Sequence, residues 1–234
     1  MSGFSSNKRR AALKRLIVLQ ALICSLLFSA APDFAQKRSR APRTNDQGAG
    51  TLLGRGDILY RSNDISDKAD YYYKEVVRLY PGSEQAGYAQ YNRGSYWQRK
   101  YYIVKERYGK EDKGALVEAE GQYYNFVDKF GFRGGPIGLV SDAEFNLSLV
   151  YLQEGNREYA TGWLYRMLKE ATDRDKVVHI YKVVWSSNAE DVIDRDVDAS
   201  ELAKTTIGLI NGGRSFEEVV AGIKSWAQGQ GQYR

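Results

Sequence analysis

Between Asp142 and Ala171 the apolar positions recur at helical spacing. Phe145, Leu149 and Leu152 share one face, and Leu147, Val150 and Tyr151 widen it. Gly155-Asn156, a pair tolerant of left-handed backbone, predicts a stop. Ala160, Leu164, Met167 and Leu168 then mark a second helix. The stretch predicts a helical hairpin with more apolar surface than two helices can bury between themselves. It reads as a part made to stack on its own kind, and nothing in it reads as chemistry.

The same pattern recurs upstream. Leu53, Ile58, Leu59 and Tyr60 predict a first helix, and Ser66 is placed to cap the next. Ala69, Tyr72, Tyr73, Val76, Val77 and Tyr80 line that helix until Pro81-Gly82-Ser83 ends it. Ala69, Tyr73, Val76-Val77 and Tyr80 reappear in register as Ala119, Tyr123, Phe126-Val127 and Phe130. Ala89, Tyr91-Asn92, Gly94 and Trp97 reappear as Ala143, Phe145-Asn146, Ser148 and Tyr151. Small residues recur where two helices must approach, and aromatics where a groove between neighbours must be filled.

These residues resemble the tetratricopeptide repeat, a helical pair with a small residue in its first helix and Ala early in its second. Residues 141–174 carry Ser148, Tyr151, Ala160 and Leu164 at the family's places. Residues 50–83 carry Tyr60, Ala69, Tyr73 and Pro81, but Asp57 stands where the small residue belongs. The middle unit, about 87–133, carries Gly94, Trp97, Ala119 and Tyr123 and has an insertion near Arg99–Gly114. Run-ons such as Leu79-Tyr80-Pro81-Gly82-Ser83 resemble those of tetratricopeptide proteins of the bacterial cell envelope. A lone hairpin cannot offset the ordering entropy of its length, so about three such units are needed, with caps at the ends.

A different pattern runs from 175 to 228, carried by Tyr181, Arg195, Asp198, Leu202, Leu209, Gly212 and Val219. By these residues the segment resembles domain of unknown function family 4214, a small helical module; Glu201 and Thr205 depart from the family's pattern, and residues are inserted after Trp185. Val177 to Trp185 reads as an apolar helix bearing His179, the one histidine of the chain. Ser215 with Glu218 predicts a capping box for a last helix, with Phe216, Val219, Val220 and Ile223 inward. Residues 229–234 read as a disordered tail.

The N-terminus changes the charge argument. Lys8, Arg9, Arg10, Lys14 and Arg15 precede an apolar run from Leu16 to Ala30, and Ser29-Ala30-Ala31 offers a cleavage site after Ala31. This is the layout of a secretory signal peptide, residues 1–31, with an uncleaved membrane anchor as the alternative. Ile23 before Cys24 argues against lipidation. The chain has 34 Lys/Arg against 29 Asp/Glu, and all five cations of residues 1–31 leave with the signal, so the mature chain is formally neutral. Global charge then gives no case for nucleic acid, and the loss of the one Cys excludes disulfide and thiolate chemistry. Residues 32–54, with Lys37, Arg38, Arg40 and Arg43 and few apolar residues, read as a disordered linker.

No reaction motif stands out. Asp191, Asp194, Asp196 and Asp198 fail as a calcium loop, because Ala199 stands where the turn needs Gly and Thr205 where a bidentate Glu is needed, so a solvated acidic loop is expected. One His without Cys cannot build a usual zinc site. No catalytic, metal-binding or cofactor-binding residue is expected. Asn146-Leu147-Ser148 is a glycosylation sequon by letter but falls within a helix.

The sequence thus predicts an all-α chain: a tetratricopeptide-like stack of helical hairpins, an α-solenoid, over 55–174, then a small helical module over 175–228. The resemblance implies a non-enzymatic scaffold or adaptor with a protein or peptide of the cell envelope in its concave groove, and the signal peptide implies a periplasmic or secreted place. The first helices would present Tyr88, Tyr91, Asn92, Ser95, Asp142, Phe145, Asn146 and Leu149 to that partner, unless Asn92 and Asn146 merely brace neighbouring helices. The alternative is a peptidoglycan-binding surface built from the aromatic and basic stretch Tyr88–Tyr102.

Overall fold

In the first hairpin, the ring of Tyr73 lies directly against Gly56. A Cβ on that glycine would sit 2.5 Å from the Tyr73 ring. In the second, a Cβ on Gly94 would sit 2.6 Å from the ring of Tyr123. Both tyrosines are fully buried. Two helices can close to this distance only where one lacks a side chain, so each Gly–Tyr pair fixes how its hairpin shuts.

The structure, a computed structural model, describes residues 44–131, 139–170, 177–181 and 194–229. Among them are eight helices and one two-stranded ribbon. Helices α1 (Thr44–Arg61) and α2 (Lys68–Leu79) form the first hairpin, α3 (Glu84–Tyr108) and α4 (Lys113–Phe130) the second, and α5 (Leu139–Gln153) and α6 (Arg157–Glu170) the third. Each packs on the next, and the first helices also meet, α1 with α3 and α3 with α5. Strands β1 (Val177–Tyr181) and β2 (Asp194–Asp198) pair antiparallel, Val178 opposite Val197. A last pair, α7 (Ala199–Asn211) and α8 (Phe216–Gly229), closes the stack. All belong to the compact unit Pro42–Arg234. Among the described residues the fold is all-α, stacked helical hairpins followed by a small helical module, with the ribbon as the one extended element.

Local chemistry sets the boundaries. Ser83 caps α3 by accepting from the Ala86 N–H at 3.1 Å, and Asp112 caps α4 through Ala115 at 3.2 Å. Gly109 and Gly155 take left-handed backbone, φ 63° and 82°, to end α3 and the turn after α5. Before α8, Ser215 and Glu218 close a reciprocal box, each accepting from the other's backbone N–H.

Several expectations are corrected. The first helix begins at Thr44, inside the stretch read as linker. Its four glycines lower helix propensity, but Gly48 and Gly56 are where Tyr80 and Tyr73 come in, so tertiary contact offsets the local cost. The first unit does have its small residue: it is Gly56, with Asp57 beside it. The insertion near Arg99–Gly114 lengthens α3 and ends in a short loop. Asp67, rather than Ser66, precedes α2, and its carboxylate turns away to Tyr96 and Lys100 at 2.8 and 2.5 Å. Val177–Tyr181 is a strand, in keeping with its β-branched residues, so the helix expected around His179 is absent. Within β2 and its boundary, Asp196 is exposed, Val197 is buried, and Asp198 caps α7 by accepting from the Ser200 and Glu201 N–H groups. Among the described residues no three His, Cys, Asp or Glu side chains come together to hold a metal, and no helix is long and apolar enough to cross a membrane.

Gly94→Ala is expected to destabilise the chain by about 1–3 kcal/mol through overpacking against Tyr123. Gly121→Ala, in the same hairpin but facing open space, is expected to stabilise it by about 0.4–1 kcal/mol. Urea unfolding of the two variants checks this, and equal shifts would contradict the seating of Tyr123 on Gly94.

Candidate functional site

Two polar bridges span the first helices. On α1, Asp57 accepts from the Tyr73 hydroxyl at 2.9 Å and from the Asn92 side-chain amide at 3.1 Å, both through Oδ1. One carboxylate oxygen thus ties α1 to its own partner helix and to the next hairpin. Burial raises the Asp57 carboxyl above its ordinary 3.8, against the lowering effects of Tyr73, Arg61 and Asn92. Burial, and then the Asp57 charge, pushes the Tyr73 hydroxyl well up, so it remains a donor.

The second bridge joins α3 to α5. The Tyr91 hydroxyl donates to Asp142 Oδ2. The Asn146 amide donates to the Asp142 carbonyl at 2.9 Å and lies 3.4 Å from Asp142 Oδ1 and 3.5 Å from the Tyr91 oxygen. Burial, reinforced by the Asp142 charge, holds the Tyr91 hydroxyl protonated. Between the bridges, Ser95 meets the Tyr123 hydroxyl at 3.1 Å, and that hydroxyl donates to Gln98 Oε1 at 2.9 Å.

The eight residues expected to face a partner therefore part company. Tyr88 is exposed, and Tyr91, Asn92 and Asp142 are half-buried at the rim. Ser95 and Asn146 are buried. Phe145 and Leu149 are buried in a core shared with Leu202, Val219 and Ile223 of α7 and α8. The terminal pair thus covers the face that α5 would have offered. The structure brings Tyr91, Asp142 and Asn146 together and leaves Asn92 with Asp57 and Tyr73. Asp57 was visible in the sequence only as a departure from the repeat pattern. An acid beside the glycine that receives a tyrosine was the signal that marks it.

The aromatic and basic stretch is occupied by packing. Arg93 pairs with Asp70 at 2.7 Å. Arg99 donates to the Tyr60 carbonyl at 3.1 Å, and its guanidinium lies 4.6 Å from the Tyr60 ring centroid. Lys100 bonds Asp67 and stands 4.6 Å from the Trp97 ring centroid. Tyr101 is buried, and Tyr102 stacks on Phe216 of α8 at 6.3 Å and 17°. These rings and cations hold helices together and offer no continuous platform to a sugar.

No protein-family model matches the chain, so the resemblance of the C-terminal segment to family 4214 gains no support. No curated protein matches it. Among solved structures, it is similar to the N-terminal domain of stress-induced protein-1 (STI-1) from C. elegans, at 16% identity and a TM-score of 0.41, over 55% of this chain and 88% of that one.

A raised carboxyl binds its proton more readily in the folded state than in the unfolded one. Asp57 therefore costs stability as pH rises from 3.8 through its folded value, and costs nothing below 3.8. Asp57→Asn keeps a carbonyl acceptor and removes that dependence. Its stability relative to the native chain is expected to rise with pH across this window. Unfolding curves taken at a series of pH values test it, and a flat difference counts against a buried, raised Asp57.

Proposed function

We propose that the chain is a scaffold whose first-helix face, over α1 and α3, takes up a protein or peptide partner. The single observation behind this reading is the contrast between first helices. The face of α5 is closed by α7 and α8, whereas α1 and α3 carry Ile58 and Tyr88 outward, 70% and 37% exposed. Large apolar side chains held out on rigid helices serve as anchors for a partner. Around them, Asn92, Tyr91 and Asp142 are already engaged with one another or with Asp57, so a partner would meet pre-positioned polar groups. The rim carries polar orientation, and the exposed Ile and Tyr carry the affinity.

The signal-like N-terminus supports a place outside the bacterial cytoplasm, in the periplasm or beyond, with the partner among proteins of the cell envelope. With Tyr96 and Tyr101 buried and the half-buried Arg93, Arg99 and Lys100 already engaged, nothing favours a second reading in which peptidoglycan is the ligand.

Selection of peptides from a random display library against the intact chain tests the proposal. Selected peptides are expected to bind the Ile58→Ser/Tyr88→Ala variant at least about tenfold more weakly, as for loss of hot-spot anchors. The Tyr71→Ala variant, altered at an exposed ring on α2, is expected to bind as the native chain does. Equal loss in both, or in neither, removes the first-helix face from the account.

A further inference from the structure

The second and third hairpins carry another surface, built from α4, the end of α5 and α6. Glu120 and Tyr124 stand one turn apart on α4, and Tyr159 and Trp163 one turn apart on α6. Between them lie Tyr151, near the end of α5, and Glu154, just past it. Tyr151 and Tyr159 face each other at 5.3 Å and 35°, and Tyr124 meets Trp163 edge-on at 6.2 Å and 85°. Tyr151 donates to Glu120 Oε1 at 2.5 Å. Tyr124 and Tyr159 remain more than half exposed, at 54% and 59%.

Two acids stand together here. Glu154 is raised by burial and then by the neighbouring Glu120, with no cation among the causes. Arg166 does lie 5.2 Å from the Trp163 ring centroid, but its Nε is paired with the buried Glu144 at 3.0 Å. Two carboxylates thus share a patch walled by aromatic rings whose electron-rich faces attract positive charge. An apolar anchor seated here would desolvate both acids without a counter-ion. A sugar would want one flat ring face, whereas these rings stand edge-on or tilted. An acidic segment would be repelled.

We propose that this patch is a docking site for a cationic side chain, lysine or arginine, carried on a basic segment of a partner protein. The ammonium or guanidinium group would lie against the exposed Tyr124 and Tyr159 rings and pair with Glu120 and Glu154. The inference lies apart from the first-helix face and does not depend on it.

Calorimetric titration of the intact chain at low salt with a short peptide of alternating Lys and Ser tests it, beside a twin peptide of Glu and Ser. The Lys peptide is expected to bind and to weaken as salt rises; the Glu peptide is not expected to bind. Glu120→Gln/Glu154→Gln, which keeps an acceptor for Tyr151, is expected to weaken the Lys peptide about tenfold. Glu217→Gln on α8 is expected to leave it unchanged, and so is Tyr88→Ala, which separates this site from the first-helix face. Should a variant unfold, the native chain still decides: the Trp163 indole N–H resonance is expected to shift on titration while that of Trp226 stays. Equal binding of the two peptides, undiminished binding by the double Gln variant, a shift at Trp226 alone, or no saturable binding would overturn the proposal.

Discussion

A tyrosine ring laid on a glycine of the paired helix sets the geometry of the first two hairpins, and most of the polar detail follows from it. Without a Cβ at Gly56 or Gly94, the second helix comes close enough for the tyrosine to be wholly buried. A buried hydroxyl must then find a partner. In both hairpins the residue after the glycine is one such partner: Asp57 for Tyr73, and Ser95, beside Gln98, for Tyr123. The acid at Asp57 has capacity beyond one hydroxyl, and the Asn92 amide uses it. A contact that closes one hairpin thereby orients the next.

The third hairpin solves the same problem without a tyrosine. Leu164 and Ser148 stand at the corresponding repeat positions, both wholly buried, and α5 is buried along most of its length. Its Glu144 is matched by Arg166 from α6. Such a helix needs cover on every side. The cover comes from α4, α6, strand β1 and the terminal pair α7–α8, whose Leu202, Val219 and Ile223 share one core with Phe145 and Leu149. Burying each of those two side chains contributes about 1.5–3 kcal/mol. The stack is therefore capped by its own C-terminal helices, and among the described residues the first-helix surface left open lies on the two hairpins before it.

Much of the fold could be read from the residues. The spacing of Leu149, Leu152, Leu164 and Met167, the stop at Gly155 and the box of Ser215 with Glu218 all follow local rules that the structure obeys. What stayed hidden depended on contacts distant in sequence. The glycines of α1 argue against a helix unless Tyr73 and Tyr80 are known to need them. Val177–Tyr181 is a short apolar run whose helical or extended state periodicity alone cannot decide. At the candidate site, the letters Asn92 and Phe145 fit a ligand-facing role. Only the fold shows Asn92 held by Asp57 and Phe145 sealed under α8. Tyr151, Tyr159 and Trp163 gather through helix packing between separate elements, so no spacing along the chain announces them together.

The central claim is that Asp57 couples the closing of the first hairpin to the seating of the second. A double-mutant cycle on unfolding free energy, with Tyr73→Phe and Asn92→Ala, tests it most directly. The account predicts a coupling above about 0.5 kcal/mol, because both side chains share one carboxylate oxygen. Additivity within about 0.3 kcal/mol would contradict it.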